Sequence, residues 1–427
     1  MSNELARRSA GEATGREFLL LVTALMAITA VGIDLMLPAF PDMRAEFGMS
    51  PDSTRVALTV TAYFLGMAVG PWLFGPISDR TGRRKPLVAG LVLYAAASMT
   101  AALAPSWPLL VAARFVWGIG ASGPNSLAIA MVRDRYEGDE MAQRMSMIMS
   151  VFLMVPIVAP SLGAGLIAIF PWRAVFWFPA LVAVTLLVWS RRLPETHSHE
   201  NRRPFTWSSV ARAGHEVVTH RQVMALTLAI TFLRGIINAY ISGSEIILSD
   251  VYEYGSWFPL FFGAIGVLLS LNSLNNSRLV GKVGVVVMIR RVTIIALVFA
   301  GAMAAVSFMN VGKPNFWLIA VLMGVTMPLT NGLSPACNTV AMSPVPHVAG
   351  TAAAIIATVA TAGGAALGLV ATRSFDGTVR PFAVYVLVYV VGAALFIALG
   401  LPRPRGGSGG EKDRNTIFFA ARTSTDG

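Results

Sequence analysis

An aspartate in the first long apolar run is the side chain whose chemistry stands out first. Asp34 lies in VGIDLMLPAFP, residues 31–41, where Pro38 and Pro41 follow it. An apolar medium favours the neutral form of a carboxyl group, and a nearby cation favours its charged form. A carboxylate at this place can therefore change its protonation state with its surroundings. Alternatively, Asp34 is a solvated residue at a helix end, or half of a fixed ion pair with Arg114.

Arg114 begins the stretch RFVWGIGASGPN, residues 114–125, and its neighbours are apolar. A charge at the centre of a membrane helix costs roughly 2.5–3.5 kcal/mol on insertion scales, so this arginine either reaches the membrane surface or has a role inside. Positions 114, 118, 122 and 125 fall on one helix face. We therefore expect Arg114, Ser122 and Asn125 to line a cavity together.

A second polar stripe contains Arg234, Asn238, Ser242 and Glu245, whose spacings of 4, 4 and 3 put them on one helix face. Polar stripes on membrane helices normally face protein or water. This favours a cavity lining over purely structural hydrogen bonds, although Glu245 lies near a helix end and is alternatively solvated. Two further candidates complete the expected substrate cavity, namely Tyr63 and Asn331.

The composition requires lipid around these residues. Of the 427 residues, 55% are hydrophobic and 13% are charged, with a mean hydropathy of +0.65. A soluble chain carries about a quarter charged residues. The net charge of +11 does not indicate nucleic acid, because the basic residues lie in short clusters between apolar stretches. The single cysteine, Cys337, excludes an internal disulfide and suits packing.

Catalysis and bound cofactors have no support in the sequence. The histidines His197, His199, His215 and His220 suit no compact metal site, and we find neither a Walker loop nor a nucleophile elbow. We predict no catalytic residue, no cofactor, no metal and no enzyme activity.

Twelve apolar stretches are long enough to cross a membrane, which takes roughly 20 residues. This predicts an all-α integral membrane protein, with twelve transmembrane helices in two six-helix halves. The expected spans are 17–40, 55–76, 86–104, 108–132, 143–169, 173–190, 223–248, 256–277, 285–309, 314–336, 348–371 and 380–401. The expected domains are a cytoplasmic tail 1–16, an N-terminal half 17–190, a cytoplasmic central loop 191–221, a C-terminal half 222–401 and a disordered cytoplasmic tail 402–427.

The lysines and arginines predict the orientation. With the N-terminus inside, 25 of the 33 basic residues fall in inside segments, six in outside segments and two within spans. Both termini are therefore expected in the cytoplasm. Two weak internal repeats, Gly118–Asn125 against Gly324–Asn331 and 76–82 against 278–284, suggest duplicated halves.

The segment GPISDRTGRRK, residues 75–85, joins the second and third spans. Its form and position resemble the signature loop of the major facilitator superfamily, and the resemblance extends over the whole chain with its six-plus-six spans. In that family the loop latches the two halves together on the cytoplasmic side. The resemblance implies Asp79 as the latch acid and Arg83 as its partner, with Gly75 and Gly82 for close approach and a tight turn. Arg80 and Arg84 complete the expected latch.

The fifth span contains VPIVAPSLGAG, residues 155–165. It resembles the fifth-span motif of the drug/proton antiporters of this superfamily, since Pro160 and Gly163 keep the spacing, although Ala159 and Ala164 replace two glycines. Pro156 and Gly165 belong to the same interrupted helix. The first span, with aspartate followed by two prolines, resembles the Bcr/CflA multidrug or phenicol exporters. This resemblance implies that Asp34 and Arg114 couple transport to protons.

The expected function is proton-coupled export of small lipophilic antibiotics of phenicol or bicyclomycin type, by alternating access. Alternatives are export of a native metabolite, such as a sugar or amino-acid derivative, and a membrane sensor that does not transport. The expected partners are a small-molecule drug, protons and the lipid bilayer, without nucleic acid, and the expected functional unit is a monomer. The expected location is the bacterial cytoplasmic (inner) membrane.

Overall fold

The computed structural model describes residues 15–197 and 207–401, and within them the regular structure is helical with no strand. Twelve helices in this part of the chain are long and apolar enough to cross a membrane. The predicted tails lie outside the described residues up to position 14 and from position 402, as do residues 198–206 of the predicted central loop. The all-α, twelve-span fold is confirmed.

We number the membrane helices as spans 1 to 12. Their helices are Gly15–Asp34, Leu58–Thr81, Arg84–Ala102, Trp107–Arg135, Gly138–Ile169, Ala174–Trp189, Arg221–Ile246, Phe258–Val283, Val285–Ser307, Phe316–Met342, Ala349–Arg373 and Arg380–Gly400. Short 3-10 and π segments border several of these helices. Two further helices are Phe40–Glu46, after span 1, and Trp207–Thr219, before span 7. The second of these was missed, because the polar composition of 191–221 predicted only a loop.

The two halves repeat one set of helix contacts. In the first half, span 4 packs on spans 2 and 3, span 6 on span 3, and span 5 on span 1. In the second half, span 10 packs on spans 8 and 9, span 12 on span 9, and span 11 on span 7. Each contact in one half thus has its counterpart six spans later, as expected for a duplicated unit.

Most of the helix contact between the halves, within the described residues, comes from span 2 with span 11 and from span 5 with span 8. Gly263 and Gly266 bring span 8 close to Ile157 of span 5, since an added Cβ would lie 3.1 Å and 2.9 Å from Ile157 atoms. Between spans 2 and 11, the Trp72 Nε1–H donates to Thr358 Oγ1 at 2.8 Å, and the Thr358 hydroxyl donates to the Ala68 carbonyl at 2.9 Å. Small residues and interhelical hydrogen bonds are what hold helices together in lipid.

The bundle has two ends, which we call the terminal face, where span 1 begins and span 12 ends, and the opposite face. At the terminal face, span 2 ends at Gly82 with a φ of +90°, and span 8 ends at Gly284 with a φ of +80°. Glycine is favoured there because a side chain is strained at positive φ. The predicted loops 76–82 and 278–284 are wrong in extent, since the helices continue up to these two glycines.

Candidate functional site

Asp34 lies at a break in span 1. The helix ends at Asp34, and a 3-10 turn follows over Leu37–Ala39. Pro38 explains the break, because proline has no N–H to donate to the carbonyl of Asp34 four residues earlier. The predicted continuous span 17–40 is therefore wrong at its end. Asp34 is 3% exposed, and within the described residues its carboxylate has no hydrogen bond or ion pair.

The Arg114 side chain binds backbone carbonyl groups at the end of this broken helix. Its Nη1 donates to the Gly32 carbonyl at 2.7 Å and its Nε to the Thr59 carbonyl at 3.1 Å. The guanidinium lies over the rings of Tyr63 and Trp117, 4.5 and 4.6 Å from their centroids. Arg114 is fully buried, so both sequence alternatives, a side chain reaching the membrane surface and a fixed Asp34–Arg114 ion pair, are wrong.

Two tyrosines also donate hydrogen bonds to the backbone of span 1. The Tyr63 hydroxyl donates to the Thr29 carbonyl at 3.0 Å, and the Tyr94 hydroxyl to the Ile28 carbonyl at 2.8 Å. Both rings are buried, so Tyr63 belongs to the support of Asp34 and does not line an open cavity as predicted. The turn Leu37–Ala39, which follows Asp34, packs on span 7 of the second half. The carboxylate therefore lies where the two halves meet.

Span 5 closes on Asp34 from another side. A Cβ on Gly163 would fall inside van der Waals contact of the Leu35 carbonyl oxygen and lie 3.0 Å from the carbonyl carbon. Pro160 is buried and Pro156 half-buried within the continuous helix Gly138–Ile169. Gly165 has nothing within 4 Å of an added Cβ, so close approach needs Gly163 alone. The residue that follows Asp34 is thus fixed against span 5.

The polar stripe of span 7 is divided between different environments. Arg234 is exposed, whereas Asn238, Ser242 and Glu245 are buried. The Asn238 side-chain Nδ2 donates to the Arg234 carbonyl at 2.9 Å. The expectation of one continuous cavity lining is wrong for the three buried residues, because neighbouring helices cover them.

Glu245 forms an ion cluster with Arg44 and Asp250 near the opposite face. The Arg44 guanidinium, from the first half, lies 3.7 Å from the Glu245 carboxylate and 3.5 Å from that of Asp250, both from the second half. Arg44 also donates to the Ser53 carbonyl, and Ser249 donates to Glu245 at 2.8 Å. Arg44 and Glu245 are almost fully buried, so the alternative of a solvated Glu245 is wrong. We call this group the inter-half ion cluster.

The predicted latch residues lie at the terminal face. Arg83 donates to Asp79 at 2.6 Å, as the resemblance implied, and also to Asp134 of span 4 at 2.8 Å. Although burial disfavours the charged guanidinium, the hydrogen bonds that Arg83 donates to Asp134 and Asp79 raise the pKa of Arg83 above its ordinary value. An added Cβ on Gly82 would meet the Glu195 carboxylate at 2.5 Å.

All these latch contacts lie within the first half and the start of the central loop, whereas the expected latch joins the two halves. Glu195, after span 6, accepts from the backbone N–H groups of Arg83 and Arg84 at 2.7 and 3.2 Å. Gly75 has nothing within 4 Å of an added Cβ, so its predicted close approach is not made here, and Arg80 is exposed. The cluster thus ties spans 2 to 4 to the chain that leaves span 6.

The remaining candidates are two asparagines and the face of span 4. Asn125 and Asn331 are half-buried. Gly118 packs against the backbone of Tyr63, and Ser122 packs against Gly70, so both face span 2. The expected cavity lining by the 114–122 face is therefore wrong, because close packing between spans 2 and 4 leaves no room there. Within the described residues, no group of His, Cys, Asp and Glu suits a metal ion.

Twelve spans in two repeated halves, with a buried carboxylate where the halves meet, define a membrane transport protein fold. The chain belongs to the Major Facilitator Superfamily, whose family model matches residues 22–369. It is 29% identical over 387 residues to the bicyclomycin resistance protein homolog of Haemophilus influenzae, covering 90% of this chain and 94% of that protein. It is 28% identical over 260 residues to the multidrug resistance protein MdtL of Escherichia coli, covering 60% and 64%.

Solved structures agree on the fold. The D-xylose–proton symporter matches with a TM-score of 0.74 at 14% identity, covering 90% of this chain and 98% of that one. The human organic anion transporter MFSD10 matches with a TM-score of 0.68 at 18% identity, covering 90% and 99%. These neighbours are transporters rather than enzymes, and the names of the sequence relatives agree with the expected Bcr/CflA-type resemblance.

Proposed function

We propose that the protein is a proton-coupled exporter of small drug-like molecules, in which Asp34 carries the proton. The observation that carries this proposal is the unpaired, buried carboxylate at the break of span 1. A carboxylate without a partner in an apolar setting is costly when charged, so it gains a proton there and loses it when water or a cation arrives. Rearrangement of the two halves around Asp34 would supply that change.

The contacts around Asp34 link its protonation to movement between the halves. Arg114 and Gly163 fix the flanking backbone to spans 4 and 5 of the first half. The turn Leu37–Ala39, on the other side of Asp34, packs on span 7 of the second half. A change of charge at Asp34 would therefore alter the energy of the contact between the halves, while the contacts made by Arg114 and Gly163 with the flanking backbone stay in place.

The inter-half ion cluster supports alternating access. It joins the halves near the opposite face, whereas Arg234, deeper in span 7, is exposed. This combination describes a transporter closed at the opposite face. From the excess of basic residues beside the terminal face, we propose that this face is cytoplasmic and that both termini lie there. The state described would then be open towards the cytoplasm, ready to receive a substrate for export.

The substrate class follows from the relatives named for bicyclomycin and multidrug resistance, and we propose phenicol- or bicyclomycin-like compounds moved across a bacterial inner membrane by a monomer. The test is drug-induced proton release from purified protein in detergent. We expect release from the wild type and none from Asp34→Asn, which keeps the shape of the side chain but cannot ionise. Asp42→Asn is the matched control, because Asp42 is an exposed acid only eight residues away. Wild-type release from Asp34→Asn would reject Asp34 as the proton carrier.

A further inference from the structure

Arg234 is an exposed arginine in the middle of a membrane helix. It lies thirteen residues after Arg221 and twelve before Ile246, the two ends of the span 7 helix. Within the described residues, its guanidinium has no hydrogen bond and no ion pair, and its backbone carbonyl is bonded by Asn238. A guanidinium at this depth is costly in lipid, so it faces protein or water.

The base of the Arg234 side chain packs on span 11, because a Cβ added to Gly364 would lie 2.5 Å from the Arg234 Cβ. Glu245 lies eleven residues further on, which is about 20° away around the helix and roughly 16 Å along it. Glu245 contacts Arg44 of the first half, and span 11 packs on span 2 of the first half, so Arg234 lies beside the boundary between the halves. The Arg234 side chain is exposed, so it extends past Gly364 of span 11 into the space beside this boundary.

Asp34 is unpaired but buried, and the other charges considered above in the interior of the spans, apart from Arg234, have partners. Glu245 and Asp250 lie against Arg44, and Arg114 is bonded to two backbone carbonyls. Arg234 thus remains as a cation without a protein anion beside the boundary between the halves.

We propose that Arg234 is the anion-binding point of the substrate site, and that the preferred substrates carry a carboxylate or a similar acidic group. The proposal rests on the proposed transport function and narrows its substrate class to anionic and zwitterionic compounds. A planar guanidinium binds a carboxylate through two parallel hydrogen bonds, which a lysine does not reproduce. Charge-assisted bonds of this kind contribute enough for about a tenfold or larger gain in affinity.

The experiment compares two probes that differ by one acidic group, chloramphenicol and its succinate monoester. Equilibrium binding of each to the purified, full-length protein is measured in detergent. We expect the wild type to bind the ester at least about tenfold more tightly than the parent drug. Arg234→Gln should remove this preference, whereas Arg234→Lys should retain part of it. Arg291→Gln is the control, because it removes the same charge from an exposed residue at the start of span 9.

The outcomes separate this inference from the transport proposal. Equal binding of both probes by the wild type, or an unchanged preference in Arg234→Gln, overturns the anion site even where transport is intact. Loss of drug-induced proton release in Arg234→Gln with the preference unchanged also overturns it, because Arg234 then serves coupling. A lost preference in Arg234→Gln supports the site even if vesicle assays show no proton-driven transport, which would reject only the proposed function. Retained binding of the neutral drug shows that each variant is folded.

Discussion

Removal of Arg44 should open the opposite face of the molecule. At separations of 3.5 and 3.7 Å, each attraction of Arg44 to a carboxylate amounts to about 4.5 kcal/mol with an effective dielectric constant of about 20. Desolvation of the three charges offsets most of this, and opening allows water to hydrate the freed carboxylates. We therefore expect Arg44→Gln to disfavour the closed arrangement by about 2 kcal/mol, which is about a 30-fold change in the closed-to-open ratio.

Cysteine labelling can measure this shift. With Cys337 replaced by alanine, Ser244→Cys places a single thiol one residue before Glu245, where the native hydroxyl is buried without a hydrogen-bond partner. In right-side-out vesicles, we expect a membrane-impermeant maleimide to label this thiol about 30-fold faster after Arg44→Gln.

The matched control for labelling is Arg173→Gln. Arg173 pairs with Glu46 at 2.5 Å near the same face, but both residues belong to the first half, so labelling should stay unchanged. Equal labelling rates in Arg44→Gln and its parent would refute the assignment of the inter-half ion cluster as a closure of this face. Faster labelling in Arg173→Gln as well would show a general loosening of the fold instead.

Two further predictions concern the packing around Asp34 and the terminal face. Gly163→Ala should lower transport severalfold at normal expression, because the methyl group overlaps the Leu35 carbonyl oxygen and overpacking costs about 1–3 kcal/mol. Gly165→Ala should transport like the wild type, because the space at its Cβ is open. Equal transport by the two variants would contradict this reasoning. Asp134→Asn should lower the free energy of unfolding by about 1–2 kcal/mol, measured as a fall of a few degrees in the thermal unfolding midpoint in detergent. Asp79→Asn should have a smaller effect, because Asp134 accepts two hydrogen bonds from Arg83 whereas Asp79 is largely exposed. An equal or larger shift for Asp79→Asn would count against that order.

The number and approximate position of the spans were predictable because lipid imposes a simple rule. Each crossing needs roughly 20 apolar residues, and no other solvent tolerates so many such stretches. The ends of the helices were less predictable, because a helix can continue into polar sequence beside the membrane and still form its backbone hydrogen bonds. The segment 76–81 has the composition of a loop but continues span 2, and only Gly82, at positive φ, ends it.

The partners of charged side chains were the main failure. Arg44 has the appearance of an ordinary loop arginine in the sequence, and Asp250 lies 206 residues away. No spacing rule relates two residues that meet only when the halves associate. The stripe from Arg234 to Glu245 was correctly placed on one helix, but periodicity gives a face and not its neighbours. Burial of Asn238 and Ser242 depends on span 11 and its small residues, such as Gly368 beside Asn238.

The arrangement at span 1 gives Arg114 a different role in the proposed mechanism from a simple counter-charge. Its guanidinium is engaged by the Gly32 and Thr59 carbonyls and by two aromatic rings, and it bonds the backbone two residues before Asp34. A cation free to move would pair with Asp34 and hold it ionised through the whole cycle. A cation fixed to the backbone positions the carboxylate while leaving its charge to be decided by water and by the second half. In the proposed mechanism, the broken helix, its bonded carbonyls and its unpaired acid therefore act together, and Asp34 would exchange a proton only when the halves rearrange.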